Sequence, residues 1–173
     1  EIENKWFLKR KKAELYKPKL LYLGRYKKEK GVFSLINIFD SINFNFELNI
    51  VGLKKKITLP NDKVKLFNEV NSTKKIISFY DKCNIFVLPS YTEGAPKVIS
   101  ESLARYRPII VFEEIKHVKE NFKGIFVCRR QTKDLTNKIR YIMKNYKYII
   151  KEIKKNKIKT KKQFQNKLSK IFQ

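Results

Sequence analysis

Two glutamates stand eight positions apart in the stretch PSYTEGAPKVISESLARYRPIIV, residues 89–111. Glu93 lies a few residues after an apolar run, and Glu101 lies within the helix predicted to follow. Carboxylates accept hydrogen bonds from sugar hydroxyls, whereas the amides of Gly94 and Ala95, next to a helix N-terminus, suit a phosphate. A ligand that carries both groups would satisfy this loop. Two alternatives stay open: a helix-dipole glutamate beside a surface glutamate, or an acid/base pair of the glycosidase type.

A second candidate site lies in the segment LGRYKKEKGV, where Arg25 and Lys30 stand between Gly24 and Gly31. Gly24 lets the chain turn sharply off a strand. Gly31 lies where a helix is predicted to begin, and free backbone N–H groups there favour an anion. An arginine, as a two-pronged donor, and a lysine, as a point charge, could together hold a diphosphate. The plain alternative is a solvated basic turn, because the segment is neither a G-x-G-x-x-G nor a Walker loop.

Both segments need a scaffold, and the apolar runs of the chain predict one. The predicted strands are residues 19–23, 43–52, 63–67, 85–88, 108–112 and 124–127. The predicted helices are residues 31–39, 72–83, one starting near Pro96, a short one in IKHVKENF, and 132–146. Strands that alternate with helices predict an α/β fold. We expect a single Rossmann-like, doubly wound parallel sheet of about six strands with helices on both faces.

Ligands of such sheets bind in the crevice beyond the carboxyl ends of the strands. This rule selects the loops after the first, second, fourth and fifth predicted strands, which read GRYKKEKG, GLKKK, PSYTEGAPK and EEIKH. The two candidate segments are among them, so we expect them to share one edge of the sheet. His117 follows the fifth strand, and we interpret it as a surface residue of a helix.

The charge of the chain is extreme, at +25 from 41 Lys and Arg against 16 Asp and Glu. Such a charge attracts nucleic acid or an anionic membrane surface. The codon bias of an AT-rich genome is a competing explanation, since Lys, Ile, Asn, Phe and Tyr are all abundant. Nucleic-acid binding predicts arginines and aromatic residues clustered on one face. The lysines are instead spread along the chain, which disfavours nucleic acid as the partner.

The length of 173 residues suits one domain, and no apolar run approaches the ~20 residues that span a bilayer. Cys83 and Cys128 fit no zinc spacing. They predict two reduced cysteines in a cytoplasmic protein, without a metal site.

Taken together, the segments LLYLGRYKKEKGVFSLINIF and NIFVLPSYTEGAPKVISESLARYRPIIV resemble a known family. They are similar to the C-terminal domain of the retaining glycosyltransferases of family 4, the glycosyl transferases group 1. The second segment carries the E-x7-E pattern of that family, and the first its Gly-Arg…Lys-Gly pattern. The resemblance covers residues 19–143. It implies one half of a GT-B architecture, in which two Rossmann-like domains face each other and the C-terminal one binds a UDP- or GDP-sugar without an obligatory metal or cofactor.

The resemblance also implies roles for the candidate residues. Arg25 and Lys30 would contact the donor diphosphate and stabilise the charge that grows on it as the glycosidic bond breaks. Glu101 would bind the ribose hydroxyls, and Glu93 the hydroxyls of the transferred sugar. Catalysis would then rest on Arg25, Lys30 and Glu93, with a donor-binding set completed by Gly24, Gly31, Gly94, Ala95 and Glu101.

This interpretation predicts a domain layout. Residues 1–18 would be a linker or remnant of a missing N-terminal acceptor domain, 19–146 the nucleotide-sugar domain, and 147–173 a basic helical tail. The predicted function is the donor-binding half of a transferase that acts, with retention, on a glycan or a lipid-linked acceptor. The alternatives are an inactive or truncated binding module and a basic nucleic-acid-binding protein. The tail either packs on protein or lies on an anionic membrane. In the second case the protein would be cytoplasmic and peripheral to the inner face of the membrane.

The sequence departs from the family pattern in three places. Arg105 and Tyr106 replace a small residue and a glycine, which predicts a wider or stiffer turn without ligand contact. The segment EEIKHVKEN lacks the usual glycines, so ligand contacts there are in doubt. The helix between the second and third strands is reduced to LKKKITLPND, so the residues that would contact the base are in doubt as well.

Overall fold

The apolar runs form strands, and the segments between them form helices, in a computed structural model that describes residues 2–53 and 62–158 with Thr160 and Ser169. The strands of these residues are β1 Lys19–Leu23, β2 Glu47–Leu53, β3 Val64–Asn68, β4 Ile85–Leu88, β5 Ile109–Phe112 and β6 Ile125–Cys128. The α-helices are α1 Val32–Asp40, α2 Thr73–Lys82, α3 Lys97–Ala104, α4 Thr132–Lys144 and α5 Tyr146–Ile153. Short 3-10 helices occupy Asn4–Phe7, Lys28–Lys30 and Glu113–Lys119.

The six strands form one parallel sheet in the order β3-β2-β1-β4-β5-β6. In this sheet Leu21 of β1 lies between Asn49 of β2 and Phe86 of β4. The chain builds outward from β1 to β3 and then crosses back to place β4 on the other side of β1. This confirms the predicted Rossmann-like α/β fold. It also fixes the topological switch point, where such folds bind ligands, between the carboxyl ends of β1 and β4.

Both faces of the sheet are covered, so its central strands are apolar without alternation. Every residue of β4 and β5 is buried. The helices bury one stripe each: in α1 the stripe is Val32, Leu35, Ile36 and Phe39, as its spacing predicts. Each such side chain contributes roughly 1.5–3 kcal/mol when fully buried. This core makes the loops at the sheet edges rigid supports.

Several predicted element limits differ from the structure, most of them by one residue. β2 begins at Glu47, because the alternating Phe44 belongs to the approach to the strand and not to the strand itself. Pro96 has an extended backbone and precedes α3 instead of opening its first turn. The predicted helix 132–146 ends at Lys144, and a separate α5 follows after Asn145.

The segments on either side of residues 19–146 contribute to the same core. Trp6 is buried and packs edge-to-face on Tyr80, with 5.6 Å between ring centroids. Ile149 and Ile153 of α5 are buried as well. The predicted limits at residues 18 and 146 stay predictions. Of the residues named for the tail, Phe164, Leu168 and Ile171 lie outside the described part of the chain, as does most of LKKKITLPND.

An arginine anchor, formed by Asp81, Arg105 and Arg107, holds residues 6–11 at the amino edge of the sheet. Arg105 is fully buried, and its Nη2 lies 2.8 Å from the Asp81 carboxylate. Its remaining hydrogen bonds run to the carbonyls of Trp6, Leu8 and Lys9. Arg107, also buried, donates to the carbonyls of Tyr80, Asp81, Arg105, Tyr106 and Lys11. Arg105, which departs from the family pattern, therefore has a structural role.

Tyr106 takes the backbone conformation that a glycine would favour, with φ of 57°. A left-handed conformation costs a residue with a side chain roughly 1–2 kcal/mol. The Tyr106 ring offsets part of this cost, because the Arg10 guanidinium lies over it at 4.2 Å. The Tyr106 side chain thus packs on Arg10 at this turn, and the predicted wider or stiffer turn stays a prediction.

Candidate active site

The two candidate segments meet at the switch point. Lys30 ends the 3-10 helix that follows β1, and Glu93 lies in the loop that follows β4. Lys30 Nζ is 2.7 Å from Glu93 Oε1, in an ion pair whose side chains are 22% and 12% exposed. Ser90 Oγ donates a second hydrogen bond of 2.7 Å to the same carboxylate oxygen. The structure thus brings together Lys30 and Glu93, two of the three predicted catalytic residues.

The backbones of the two loops touch next to this pair. Gly31 has φ of +67°, and a Cβ there would lie 1.9 Å from the Pro89 carbonyl oxygen. The Tyr91 amide donates to the Glu29 carbonyl at 2.9 Å. Only glycine fits position 31, because both the conformation and the space exclude a side chain. The predicted Gly31 therefore sets the distance between the loops and with it the Lys30–Glu93 contact.

A cavity of about 420 Å³ opens beyond the ends of β1, β2 and β3. Gly24 and the exposed Arg25 line one side of it. The other side comes from Val51, Gly52, Glu69 and Val70. Its volume lies within the ~300–1,000 Å³ typical of small-ligand sites.

Tyr22 supports the part of the cavity wall that Gly24 and Arg25 form. Its hydroxyl donates to the Arg25 carbonyl at 2.9 Å and lies close to Gly24. Burial raises the pKa of Tyr22, and the nearby charges of Glu93 and Glu29 raise it further. The hydroxyl therefore stays protonated and keeps donating to the Arg25 backbone at any physiological pH.

The loop after Glu93 is open. Gly94 and Ala95 are exposed, and a Cβ at Gly94 would meet no atom within 4 Å. Space is therefore free beside their amides, where phosphate or sugar contacts were predicted.

Glu101 lies in α3, the helix predicted to follow Glu93, and its side chain is buried. It is only 7% exposed, on the buried side of α3. Its carboxylate lies 3.4 Å from the Tyr80 hydroxyl and 3.7 Å from Lys97 Nζ. Burial raises its pKa against the opposing effects of Lys97 and Tyr80. The cavity described above is lined by other residues, so the ribose-binding role of Glu101 stays a prediction.

Sequence reasoning missed several residues of this region. Ser90 and Tyr22 carried no separate signal, since each looks like a strand-end residue. His117 is exposed, as predicted, but its Nε2 donates to the Glu93 carbonyl at 3.0 Å. Its place after the fifth strand was the available signal. The loops after the third and sixth strands were not considered, although Glu69 follows one and Arg130 follows the other.

Other site types find no support in the described residues. Within residues 2–53 and 62–158, no cluster of three or more His, Cys, Asp and Glu side chains is placed to hold a metal ion. Cys83 and Cys128 are free and buried, and burial raises the pKa of each thiol to about 12. Such thiols are unreactive at neutral pH. No helix in the described part of the chain is long and apolar enough to cross a bilayer.

Comparisons with known proteins agree on one family. The sequence model of the family described as glycosyl transferases group 1 matches residues 4–164. The chain is 31% identical over 160 residues to an uncharacterized glycosyltransferase of Methanocaldococcus jannaschii, across 86% of this chain and 43% of that protein. It is 30% identical over 131 residues to the capsular polysaccharide biosynthesis glycosyltransferase CapM of Staphylococcus aureus, across 68% of this chain and 34% of that protein.

The fold is also similar to that of Anabaena HepE, solved in complex with UDP and glucose. The TM-score is 0.62 at 16% identity, across 81% of this chain and 42% of that one. The chain therefore spans less than half the length of each of these three proteins.

Proposed function

The chain belongs to the glycosyl transferases group 1, and from that premise we propose that it is the donor-binding half of a glycosyltransferase. It would move a sugar from a UDP- or GDP-sugar to a glycan or lipid-linked acceptor, with retention. The observation that carries this proposal is the 2.7 Å contact between Lys30 and Glu93 at the switch point. It joins Lys30, which can contact a phosphate, to Glu93, which can accept a hydrogen bond from a sugar hydroxyl.

The charges suit the bond that such an enzyme breaks. As the bond from the anomeric carbon to the phosphate oxygen lengthens, negative charge grows on the diphosphate. Lys30 and the exposed Arg25 would stabilise that charge from fixed positions. Glu93, held by Lys30 and Ser90, has a second carboxylate oxygen that can accept a hydroxyl of the transferred sugar. Before a donor binds, Glu93 is the counter-charge that keeps Lys30 in place.

The cavity beyond β1 to β3 would take the nucleoside. Gly24, Val51 and Gly52 give it a largely apolar lining that suits a base, and Arg25 lines it as well. HepE, which shares the fold, was solved with UDP and glucose, in line with a nucleotide sugar as ligand. Glu101 would reach the ribose only after a change in its present contacts with Tyr80 and Lys97.

The acceptor would be held by a second, N-terminal domain or by a separate chain. The family relatives are more than twice as long as the matched region. CapM acts in capsular polysaccharide biosynthesis, and we infer an envelope polysaccharide or its lipid-linked precursor as the acceptor class.

We further propose that the protein lies in the cytoplasm and binds the inner face of the membrane through its basic surface. The net charge of +25 and the exposed Tyr148 of α5 support this proposal. Sedimentation with neutral vesicles and with vesicles containing phosphatidylglycerol tests it. We expect binding to the anionic vesicles that falls with salt, and equal binding to both would contradict it.

Calorimetric titration with UDP-glucose, UDP-N-acetylglucosamine, GDP-mannose and related donors tests the main proposal. We expect at least one of them to bind. Lys30→Met should weaken it roughly 10- to 100-fold, because a charge-assisted contact is lost. Lys144→Met is the matched control, with the same loss of charge on an exposed residue at the end of α4. An absence of binding across the panel, or Lys30→Met and Glu101→Ala that bind like the parent, would refute the proposal.

A further inference from the structure

Arg130, in the segment after β6, reaches into the region between the two site loops. Its Nε donates to Glu114 at 2.8 Å and its Nη1 to the Ser34 hydroxyl at 2.8 Å. The guanidinium lies between two aromatic rings, 4.0 Å from the centroid of Tyr91 and 4.3 Å from that of Phe112. One side chain therefore joins four elements: the loop after β4, the end of β5, the 3-10 helix after it, and α1.

Three of these partners belong to segments that carry or contact a predicted catalytic residue. Ser34 lies in the first turn of α1, which Gly31 and Lys30 precede. Tyr91 is two residues before Glu93, and its amide bonds to the Glu29 carbonyl. Glu114 belongs to the 3-10 helix whose His117 donates to the Glu93 carbonyl. The guanidinium thus contacts the loop that carries Glu93 and the first turn of α1, which directly follows Lys30 and Gly31.

We propose that Arg130 is a positioning residue, which clamps the loop carrying Glu93 against the start of α1 and so holds Glu93 within reach of Lys30. The contacts that define the clamp are independent of any ligand. Only its consequence for donor binding rests on the proposed function.

An arginine is needed for this clamp, because a planar guanidinium can stack on both of its faces while its edge donates hydrogen bonds. Among the described buried side-chain nitrogens and oxygens, Arg130 Nη2 is the one without a hydrogen-bond partner. A lysine would keep the charge but would lose the stack.

The charge of Glu114 supports the clamp. Burial by itself would raise the pKa of Glu114, but the hydrogen bond from Arg130, a backbone hydrogen bond and the charge of Arg130 together lower it. Glu114 therefore stays ionised and keeps Arg130 oriented between the rings.

Amide hydrogen exchange, followed residue by residue by NMR, tests the clamp without a ligand. The reporter is the Tyr91 amide, whose bond to Glu29 crosses the loop junction. In Arg130→Gln we expect its exchange to rise roughly tenfold or more, while the amide of Val87 in β4 keeps its protection. Arg129→Gln is the matched control, since the neighbouring Arg129 is 69% exposed. Unchanged exchange at Tyr91, or a rise of equal size at Val87, would overturn the proposal.

Calorimetry with UDP-glucose and GDP-mannose then measures the consequence for the site. Arg130→Gln should bind the preferred donor roughly 10- to 100-fold more weakly, because even a small displacement of Glu93 and Lys30 would misalign their contacts with the donor. Arg130→Lys should fail to restore the affinity, and full rescue by lysine would contradict the stacking role. If the parent binds no donor, the proposed function fails, and the exchange of Tyr91 still decides the role of Arg130.

Discussion

Arginines at the two edges of the sheet each pair with a carboxylate, but they differ in how completely their remaining N–H groups are hydrogen-bonded. At the amino edge, Arg105 and Arg107 of the anchor direct their N–H groups to carbonyls and to Asp81. At the carboxyl edge, Arg130 stacks between rings, and its Nη2 has no hydrogen-bond partner among the described residues. Lys30 has one carboxylate, on a loop that faces open space.

The difference separates architecture from function. Buried polar groups that are fully matched fix one conformation, whereas incompletely matched ones mark places where a ligand or a movement completes the set. By this criterion the anchor is structural, although it holds the more conspicuous charges. The net charge of the chain does not distinguish the structural charges of the anchor from those of the candidate site, because basic residues occur at both edges.

The largest expected effect is on the anchor. Arg105→Ala leaves the Asp81 carboxylate and three backbone carbonyls without their donor. Breaking a buried ion pair by removing one partner typically costs ~3–5 kcal/mol of unfolding free energy. Urea denaturation should show this loss, while the folded fraction keeps the donor affinity of the parent. A weakened donor affinity without a loss of stability would contradict the structural role of the anchor.

The next effect concerns the junction of the site loops. Gly31→Ala forces a side chain into a left-handed conformation, at a cost of roughly 1–2 kcal/mol, and against the Pro89 carbonyl. We expect a lower unfolding free energy together with weaker donor binding, because the two loops must separate. Gly94→Ala is the matched control, with open space around its Cβ. Denaturation and calorimetry of both variants check this, and equal effects at the two positions would contradict it.

The smallest effect belongs to Glu101, which is buried like the anchor but poorly matched. Its folded pKa is raised above the ordinary 4.5 of the unfolded chain, so the native state binds more protons between these two values. Stability from Glu101 is therefore greatest below about pH 4.5 and is lost as the pH rises through the folded pKa.

Glu101→Gln removes this titration. We expect the variant to equal the parent near pH 4 and to become more stable than the parent toward pH 8. Urea denaturation of both proteins across this range measures the difference. A gain that is the same at every pH would show that the titration of Glu101 is not linked to folding, and a loss at pH 8 would show that the carboxylate is well matched.

Much of the fold followed from local patterns. Short apolar runs and one alternating segment predicted all six strands, because the strands of a parallel sheet covered on both faces are buried and apolar. The pairing of GRYKKEKG with PSYTEGAPK could be inferred from the rule on carboxyl ends, and the Lys30–Glu93 contact agrees with it. Neither pattern contains the strand order, which is set by crossovers between distant segments.

What could not be predicted depends on contacts between residues far apart in the chain. The burial of Glu101 comes from Tyr80 of α2, 21 positions away. Arg130 contacts Ser34, which is 96 positions away. Apolar periodicity reports which face of an element is inward, but not which polar group it will meet there. The sequence therefore identified the loops of the site and missed the side chains that fix their geometry.

The anchor also bears on the order of folding. Arg105 bonds the Trp6 carbonyl across 99 positions, and Arg107 bonds the Lys11 carbonyl across 96. Contacts of such sequence separation close large loops, and such closures slow folding when they must form early. We expect residues 6–11 to dock after the sheet has formed. Stopped-flow kinetics of Arg105→Ala should then show faster unfolding with an almost unchanged refolding rate. The anchor would thus lengthen the lifetime of the folded state by slowing its unfolding.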